Sequence, residues 1–521
     1  MSTAPGGAGD ETHSFTLDLP DEAATRRLAA VLAPLLGTGD VLALSGPLGA
    51  GKTTLARALI RAVAGDPDLE VPSPTYTLVQ IYPTRPRISH FDLYRLSDPE
   101  ELVELGFEEA AEAGIVLAEW PEQAQEILRV ANLRLTLTDT PGGGRQAVLA
   151  ALPEMAARLD RPMALMAFLE AAAQGGAERV PFPGDASARR YEVLTARDGR
   201  PLILMDSPDL VLGPPVRDGR AYAEIARSAR NTVPFVAVAE ALRARGLVTP
   251  RIHAFDTARG FVLMEDLGRE GVLDAAGRPI PERYEAAMLA LAHLHATPFD
   301  GHLRLPDGRP YDVPPFDHAA MAIEASLLLD WYVPHVFGRP ATEAERAEFE
   351  AVWNRLFTIL DTAERHIVQR DVQAPNLIWR AGETGLDRIA FLDFQDAMVG
   401  PSAYDVAALA HDPRVTIEPE LEARLRTAYV AARRATDPDF DVAGFETAYA
   451  IMAAQRQTKI LGIFVRLLRR DGKPQYLRHI PRIKAYLKKT LSHPSLGELA
   501  RLYEAWQILA DQDAPSDTSQ T

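Results

Sequence analysis

The sequence predicts two domains in tandem, a small α/β unit followed by a larger two-lobed α+β unit, on three observations. A chain of 521 residues exceeds what one hydrophobic core usually serves. A glycine-rich pattern at 46–53 lies between a short apolar run and a helical pattern. Far downstream, Asp371 and Asn376 stand at a D-x4-N spacing, followed by an apolar strand pattern that ends in Asp393-Phe394. With 47% apolar and 24% charged residues the chain is of globular composition. A net charge of −17 opposes nonspecific adhesion to nucleic acid or to an anionic membrane. The absence of cysteine excludes disulfides, thiolate metal sites and cysteine nucleophiles, and fits a reducing cytoplasm. No basic start with an apolar core opens the sequence, and no uninterrupted apolar run of about 18 residues occurs. Neither a signal peptide nor a membrane span is expected.

Within the first domain, expected at 12–151, Phe15-Thr16-Leu17 alternates like an edge strand, and Asp21 can cap a helix running toward Leu36. VLALS at 41–45 reads as a buried strand and 55–63 as a helix. Strand-like segments follow at 77–79, 88–90 and 115–117, with an alternating pair at 133–135 and 147–149. A linker is expected at 152–161, and 163–173 reads as a helix opening the second module, ended by Gly175-Gly176. The stretch 189–207 is a β-hairpin pattern turning at Asp198-Gly199, as expected of a sheet-rich lobe at 162–268. Helical periodicity dominates the lobe at 269–510. The polar end, 511–521, is expected to be disordered, and no internal repeat is evident.

GPLGAGKT at 46–53 matches GxxxxGK[ST] in the context that pattern requires, strand before and helix after. Glycines let backbone N–H groups curl around phosphate oxygens, the lysine reaches the β and γ phosphates, and the hydroxyl can bind Mg²⁺. Gly46, Gly49, Gly51, Lys52, Thr53 and Thr54 are therefore the candidate nucleotide-binding residues, with Thr53 a candidate Mg²⁺ ligand. VPSPTYTLV at 71–79, HFDLYRL at 90–96, Glu104-Leu105-Gly106 and Glu119-Trp120-Pro121-Glu122 follow in that order. Together with the phosphate loop this set closely resembles TsaE, the ATPase of the bacterial machinery that makes threonylcarbamoyladenosine in tRNA, over about 12–150. The resemblance implies that Glu119 joins Thr53 at Mg²⁺, that Asp92 is a catalytic or water-positioning acid, and that Ser73, Thr75 and Tyr76 belong to a nucleotide-responsive loop. It also implies TsaD and TsaB-like partners, through which tRNA is mainly contacted. Both acids follow strand patterns, whose ends gather around the ligand crevice of a parallel sheet.

In the second module Asp371 can accept the proton of an attacking hydroxyl, Asn376 can hold Mg²⁺, and Asp393 can bridge metal and phosphates. GDASARRY at 184–191 lies where a phosphate-covering turn belongs, making Ser187 and Arg189 candidate nucleotide contacts. The strand pattern at 262–268, with Glu265, reads as the interlobe hinge facing adenine. These residues, with Pro234-Phe235, 394–397, Gly400-Pro401, Tyr404-Asp405 and 455–462, resemble the aminoglycoside-phosphotransferase-like kinases over about 162–510. Within them the likeness is to the anomeric kinases of N-acetylmuramate and N-acetylglucosamine in cell-wall recycling.

The whole is thus expected to be an α/β P-loop NTPase domain followed by an α+β two-lobed protein-kinase-like phosphotransferase domain. The cofactors are ATP and Mg²⁺, the acceptor is an amino sugar, and no membrane is involved. Two departures stand out. Met205 occupies the place of the usual strand lysine, so Arg189 or Arg190 is expected to take over part of its role, and Gln369 stands where many relatives have histidine. Asp396, Asp405, Gln455 and Arg456 are candidate sugar contacts. The alternative readings are a noncatalytic ligand-sensing pseudokinase in the second half, or a kinase for another hydroxylated small molecule.

Overall fold

The computed structural model describes residues 12–98, 100–182 and 189–510, and the chain divides into two compact units between Glu178 and Arg179. In the first unit, seven strands form one sheet: β1 (His13–Leu19), β2 (Val41–Ser45), β3 (Val79–Tyr82), β4 (Arg87–Asp92), β5 (Gly114–Glu119), β6 (Leu133–Asp139) and β7 (Arg145–Ala151). Their order is β1-β7-β6-β2-β5-β4-β3. The middle strands β6, β2, β5 and β4 are parallel, and β1, β7 and β3 extend the sheet antiparallel. Burial on both faces explains why β2 and β5 are continuous apolar runs rather than alternating ones. The parallel register pairs Leu44 and Asp92 with Glu119, so the C-terminal ends of β2, β4 and β5 meet at one edge.

Helices Glu22–Leu32 and Lys52–Ala64 pack over one face of this sheet, while Phe91, Phe107 and Ile127 fill the other. The same core takes up a further helix. Pro153–Ala171 is one helix of 19 residues and belongs to the first unit, where the sequence pattern suggested a linker at 152–161 and a new module from 162. Met155, Leu159 and Met163 recur every fourth residue and are buried in the first unit's core, and Arg158 grips both carboxylate oxygens of Asp40 at 2.7 and 2.8 Å. Pro162 reads locally as a breaker and costs about 3 kcal/mol inside a helix. Burial of that stripe offsets the cost, and only the tertiary packing reveals it.

In the second unit a five-stranded sheet runs Ile252–Asp256, Phe261–Glu265, Pro201–Asp206, Arg190–Thr195, Glu178–Phe182. Its central hairpin turns at Asp198-Gly199, where Gly199 has φ +81°, and helix Val233–Ala244 adjoins it. The other lobe is built around a helix of 30 residues, Val442–Asp471, which is buried almost without interruption from Phe445 to Val465. A Cβ on Gly462 would lie 2.3 Å from the Leu327 backbone, so glycine is what lets this helix pass so close. Two short antiparallel pairs, Arg365–Val368 with Met398–Pro401 and Leu377–Trp379 with Ile389–Phe391, frame the loop that carries Asp371 and Asn376. One apolar core runs through both lobes, from Met205 to Ile508. The residues 511–521, expected to be disordered, lie outside those described.

Candidate functional sites

The phosphate loop leaves β2 and enters helix Lys52–Ala64 through three glycines of positive φ: Gly46 at +138°, Gly49 at +84° and Gly51 at +98°. A Cβ on Gly46 would sit 2.4 Å from the Leu137 carbonyl oxygen, so no larger residue fits that turn. Lys52 Nζ donates to the carbonyls of Gly46 (2.7 Å) and Pro47 (3.0 Å) and lies 3.5 Å from the Trp120 ring centroid. Burial pulls the lysine below its ordinary pKa, against the attraction of Glu119, Glu122 and Asp92. Thr53 Oγ1 donates to Glu119 Oε2 at 2.8 Å, and Glu119 Oε1 lies 2.9 Å from His90 Nε2. Asp92 Oδ2 accepts from Ser73 Oγ (2.9 Å) and Thr75 Oγ1 (2.6 Å), tying the 71–79 loop to the end of β4. Thr54 stands half-buried in the first helical turn.

Thus Lys52, Thr53, Asp92 and Glu119 converge at the strand ends, with Trp120 held at φ +57° above the lysine. Two residues that the sequence reading passed over join them. His90 shares a face of β4 with Asp92, two residues on, a spacing that could have flagged it. Arg145 donates Nη2 to the Gly49 carbonyl at 3.2 Å. No local signal marks it, because the pairing of β6 with β7 brings it to the loop.

In the second unit, Asn376 Nδ2 donates to the Asp371 carbonyl at 2.8 Å and approaches Asp393 Oδ2 at 3.3 Å. Asp393, at φ +59°, accepts from Gln395 Nε2 at 2.7 Å and faces Arg189 Nη1 at 3.5 Å. Burial, then repulsion from Asp371, raises its pKa above the ordinary carboxylate value. Arg456 Nη2 stands 3.9 Å from Asp371 Oδ1. Glu265 lies at the strand end, its N–H donating to the Arg251 carbonyl and its carboxylate accepting from Arg251 N–H. Ser187 lies outside the described residues.

The expected sugar contacts divide. Asp405 is fully buried and accepts the backbone N–H groups of Gln369 (2.6 Å) and Arg370 (2.9 Å), with burial pushing its pKa up to about 7. Gln455 is also fully buried, its amide donating to Glu324 and to the Met321 carbonyl. Both shape the catalytic loop's support rather than the acceptor surface. Glu324 further binds Arg370, itself at φ +74°, and Lys459. Met205 is 1% exposed, within the core, in register with Tyr191 and Val262.

Two family models match the chain: "Threonylcarbamoyl adenosine biosynthesis protein TsaE" over residues 19–147 and "Phosphotransferase enzyme family" over 178–443. A curated N-acetylmuramate/N-acetylglucosamine kinase of Caulobacter vibrioides is 35% identical over 358 residues, covering 67% of this chain and 97% of that protein. The tRNA threonylcarbamoyladenosine biosynthesis protein TsaE of Rickettsia felis is 44% identical over 113 residues, 22% of this chain and 66% of that protein. Its counterpart in Rickettsia typhi is 41% identical over 111 residues, 21% of this chain and 76% of that protein. The chain belongs to the TsaE family in its first unit and to the phosphotransferase enzyme family in its second.

It is an enzyme joining an ATPase module to a kinase module, both of which use ATP. In the TsaE unit Lys52 bonds the carbonyls of its own loop, Thr53 bonds Glu119, and Asp92 bonds Ser73 of the 71–79 loop. In the phosphotransferase unit Phe394, next to Asp393, stacks on Phe235 at 5.0 Å between centroids, which links the 394–397 stretch to Pro234-Phe235. Among the described residues no helix is long and apolar enough to cross a membrane.

Proposed function

We propose that the first unit hydrolyses Mg·ATP for tRNA threonylcarbamoyladenosine synthesis, and that the second transfers the γ-phosphoryl of Mg·ATP to the anomeric hydroxyl of N-acetylmuramate or N-acetylglucosamine. The observation that carries the kinase reading is the single Asn376 amide bonded to the Asp371 carbonyl and near the Asp393 carboxylate, which holds a proton acceptor beside a metal acid. Likeness to kinases of these sugars over nearly their whole length supports the acceptor.

In this reading Asp371 orients the sugar hydroxyl and takes its proton as the oxygen–phosphorus bond forms and ADP leaves in line. Asn376 and Asp393 would hold Mg²⁺, as Thr53 and Glu119 would in the first unit. Both sets are hard oxygen donors, and the raised pKa of Asp393 beside Asp371 marks a crowding of negative charge that a divalent cation relieves. Mg²⁺, when bound, would neutralise charge on the phosphate oxygens. Lys52 meets the β and γ phosphates after leaving the Gly46 and Pro47 carbonyls, and Asp92 orients the attacking water. Arg189, which already reaches Asp393, supplies the phosphate cation missing at Met205. TsaD and TsaB-like partners carry most of the tRNA contact, and the work belongs to the cytoplasm.

The test is ³¹P NMR of the full-length protein with ATP and each sugar. An anomeric phosphate signal should appear, fall by at least about 100-fold with Asp371→Asn, and persist with Lys52→Ala. No sugar phosphate from the unaltered chain would favour the ligand-sensing alternative.

A further inference from the structure

Asp371, Asp393 and Asp396 place carboxylates together at the cleft of the phosphotransferase unit. An anionic acceptor is repelled there unless a cation is aimed at it. Most nearby cations are already engaged: Arg370 and Lys459 by Glu324, Arg189 by Asp393, and Arg456 by Asp371 with its side chain only 5% exposed. Arg227 differs. Nη2 meets Asp317 at 2.8 Å, Nε is buried with no hydrogen-bond partner among the described residues, and 33% of the side chain remains exposed.

Its backbone is also unusual, at φ +57°, a conformation that an arginine keeps only when its surroundings impose it. The neighbours do so. Residues 222–229 form a strap onto the helical lobe. At one end Tyr222, Ile225 and Ala226 pack on Ile323, next to Glu324, and Arg466 lies over the Tyr222 ring. At the other end Ala229 N–H donates to Asp396 Oδ1 at 2.6 Å, three residues beyond Asp393. Along the chain, Arg227 therefore lies between a contact beside Glu324 and a contact to Asp396.

We propose that Arg227 is the specificity-determining cation of the acceptor site, pairing with the lactyl carboxylate that N-acetylmuramate carries and N-acetylglucosamine lacks. The proposal rests on the sugar-kinase reading above. Asp317 is then the resident partner that the substrate carboxylate displaces. Its Oδ1 separately caps helix His318–Ala325 through Ala320 N–H at 2.8 Å, so Asp317→Asn keeps the cap while loosening the hold on Arg227.

The experiment compares steady-state kinetics of the full chain on both sugars. Arg227→Gln should raise KM for N-acetylmuramate about tenfold, the scale of a lost charge-assisted hydrogen bond, and leave N-acetylglucosamine within about twofold. Asp317→Asn should shift the preference the other way, lowering KM for N-acetylmuramate alone. Equal changes on both sugars, or none, would overturn the proposal as the mark of a merely structural arginine. Turnover of neither sugar by the unaltered chain would remove the underlying reading, and the proposal with it. Loss of folding in Arg227→Gln would leave the Asp317→Asn preference to decide.

Discussion

Met205 lies at a strand position where a phosphate-binding lysine is expected, yet it packs in the core between Tyr191 and Val262. The compensating charge proposed here is Arg189, 3.5 Å from Asp393. Arg189→Ala should therefore lower kcat/KM for ATP in sugar phosphorylation by about tenfold, whereas Arg189→Lys should retain most of it. Unchanged ATP kinetics in the alanine variant would show that the cation comes from elsewhere. At this scale the phosphate loop and the D-x4-N pair were legible, because their chemistry is carried by neighbours in sequence. His90, Arg145 and Arg227 were not. Each acts on a partner 29, 96 or 90 residues away.

Helix Ile480–Thr490 follows a short turn, Pro474–His479, whose last residue is buried among Arg482, Arg478 and Arg414. Burial and those guanidinium groups push the His479 pKa down to about 4. The unfolded chain, with a histidine pKa of about 6.5, takes up the proton first as pH falls. The stability associated with neutral His479 is thus complete above about pH 6.5 and is lost progressively toward pH 4. Thermal melts of the full chain should show the phosphotransferase transition moving down between pH 7 and pH 5, and His479→Gln should flatten that slope. An identical slope in the variant would assign the effect to other groups. Elements were readable where periodicity is local, as in β2 or the hairpin at Asp198-Gly199. Helix Pro153–Ala171 was misassigned because Pro162 is a local stop signal, whereas Met155, Leu159 and Met163 answer to a distant core.

Each unit has its own apolar core and, on the proposed reading, its own nucleotide site, so the whole molecule should bind two equivalents of a non-hydrolysable ATP analogue at saturating Mg²⁺. Calorimetric titration should find one equivalent after Lys52→Ala, with sugar phosphorylation retained; a single equivalent on the unaltered chain would contradict the two-site molecule. By itself the sequence pointed to two such sites, and to the strand, loop and helix patterns that carry them. Glycine freedom, a lysine and a D-x4-N spacing are needed wherever phosphate is held, and they lie close together in the chain. Only the tertiary structure decided that Asp405 and Gln455 are buried supports, that Glu265 is tied to Arg251, and that the first unit extends through the helix Pro153–Ala171. Whether a polar residue faces a ligand or an interior partner depends on strand register and helix packing across scores of residues, and short-range pattern carries no record of those distances.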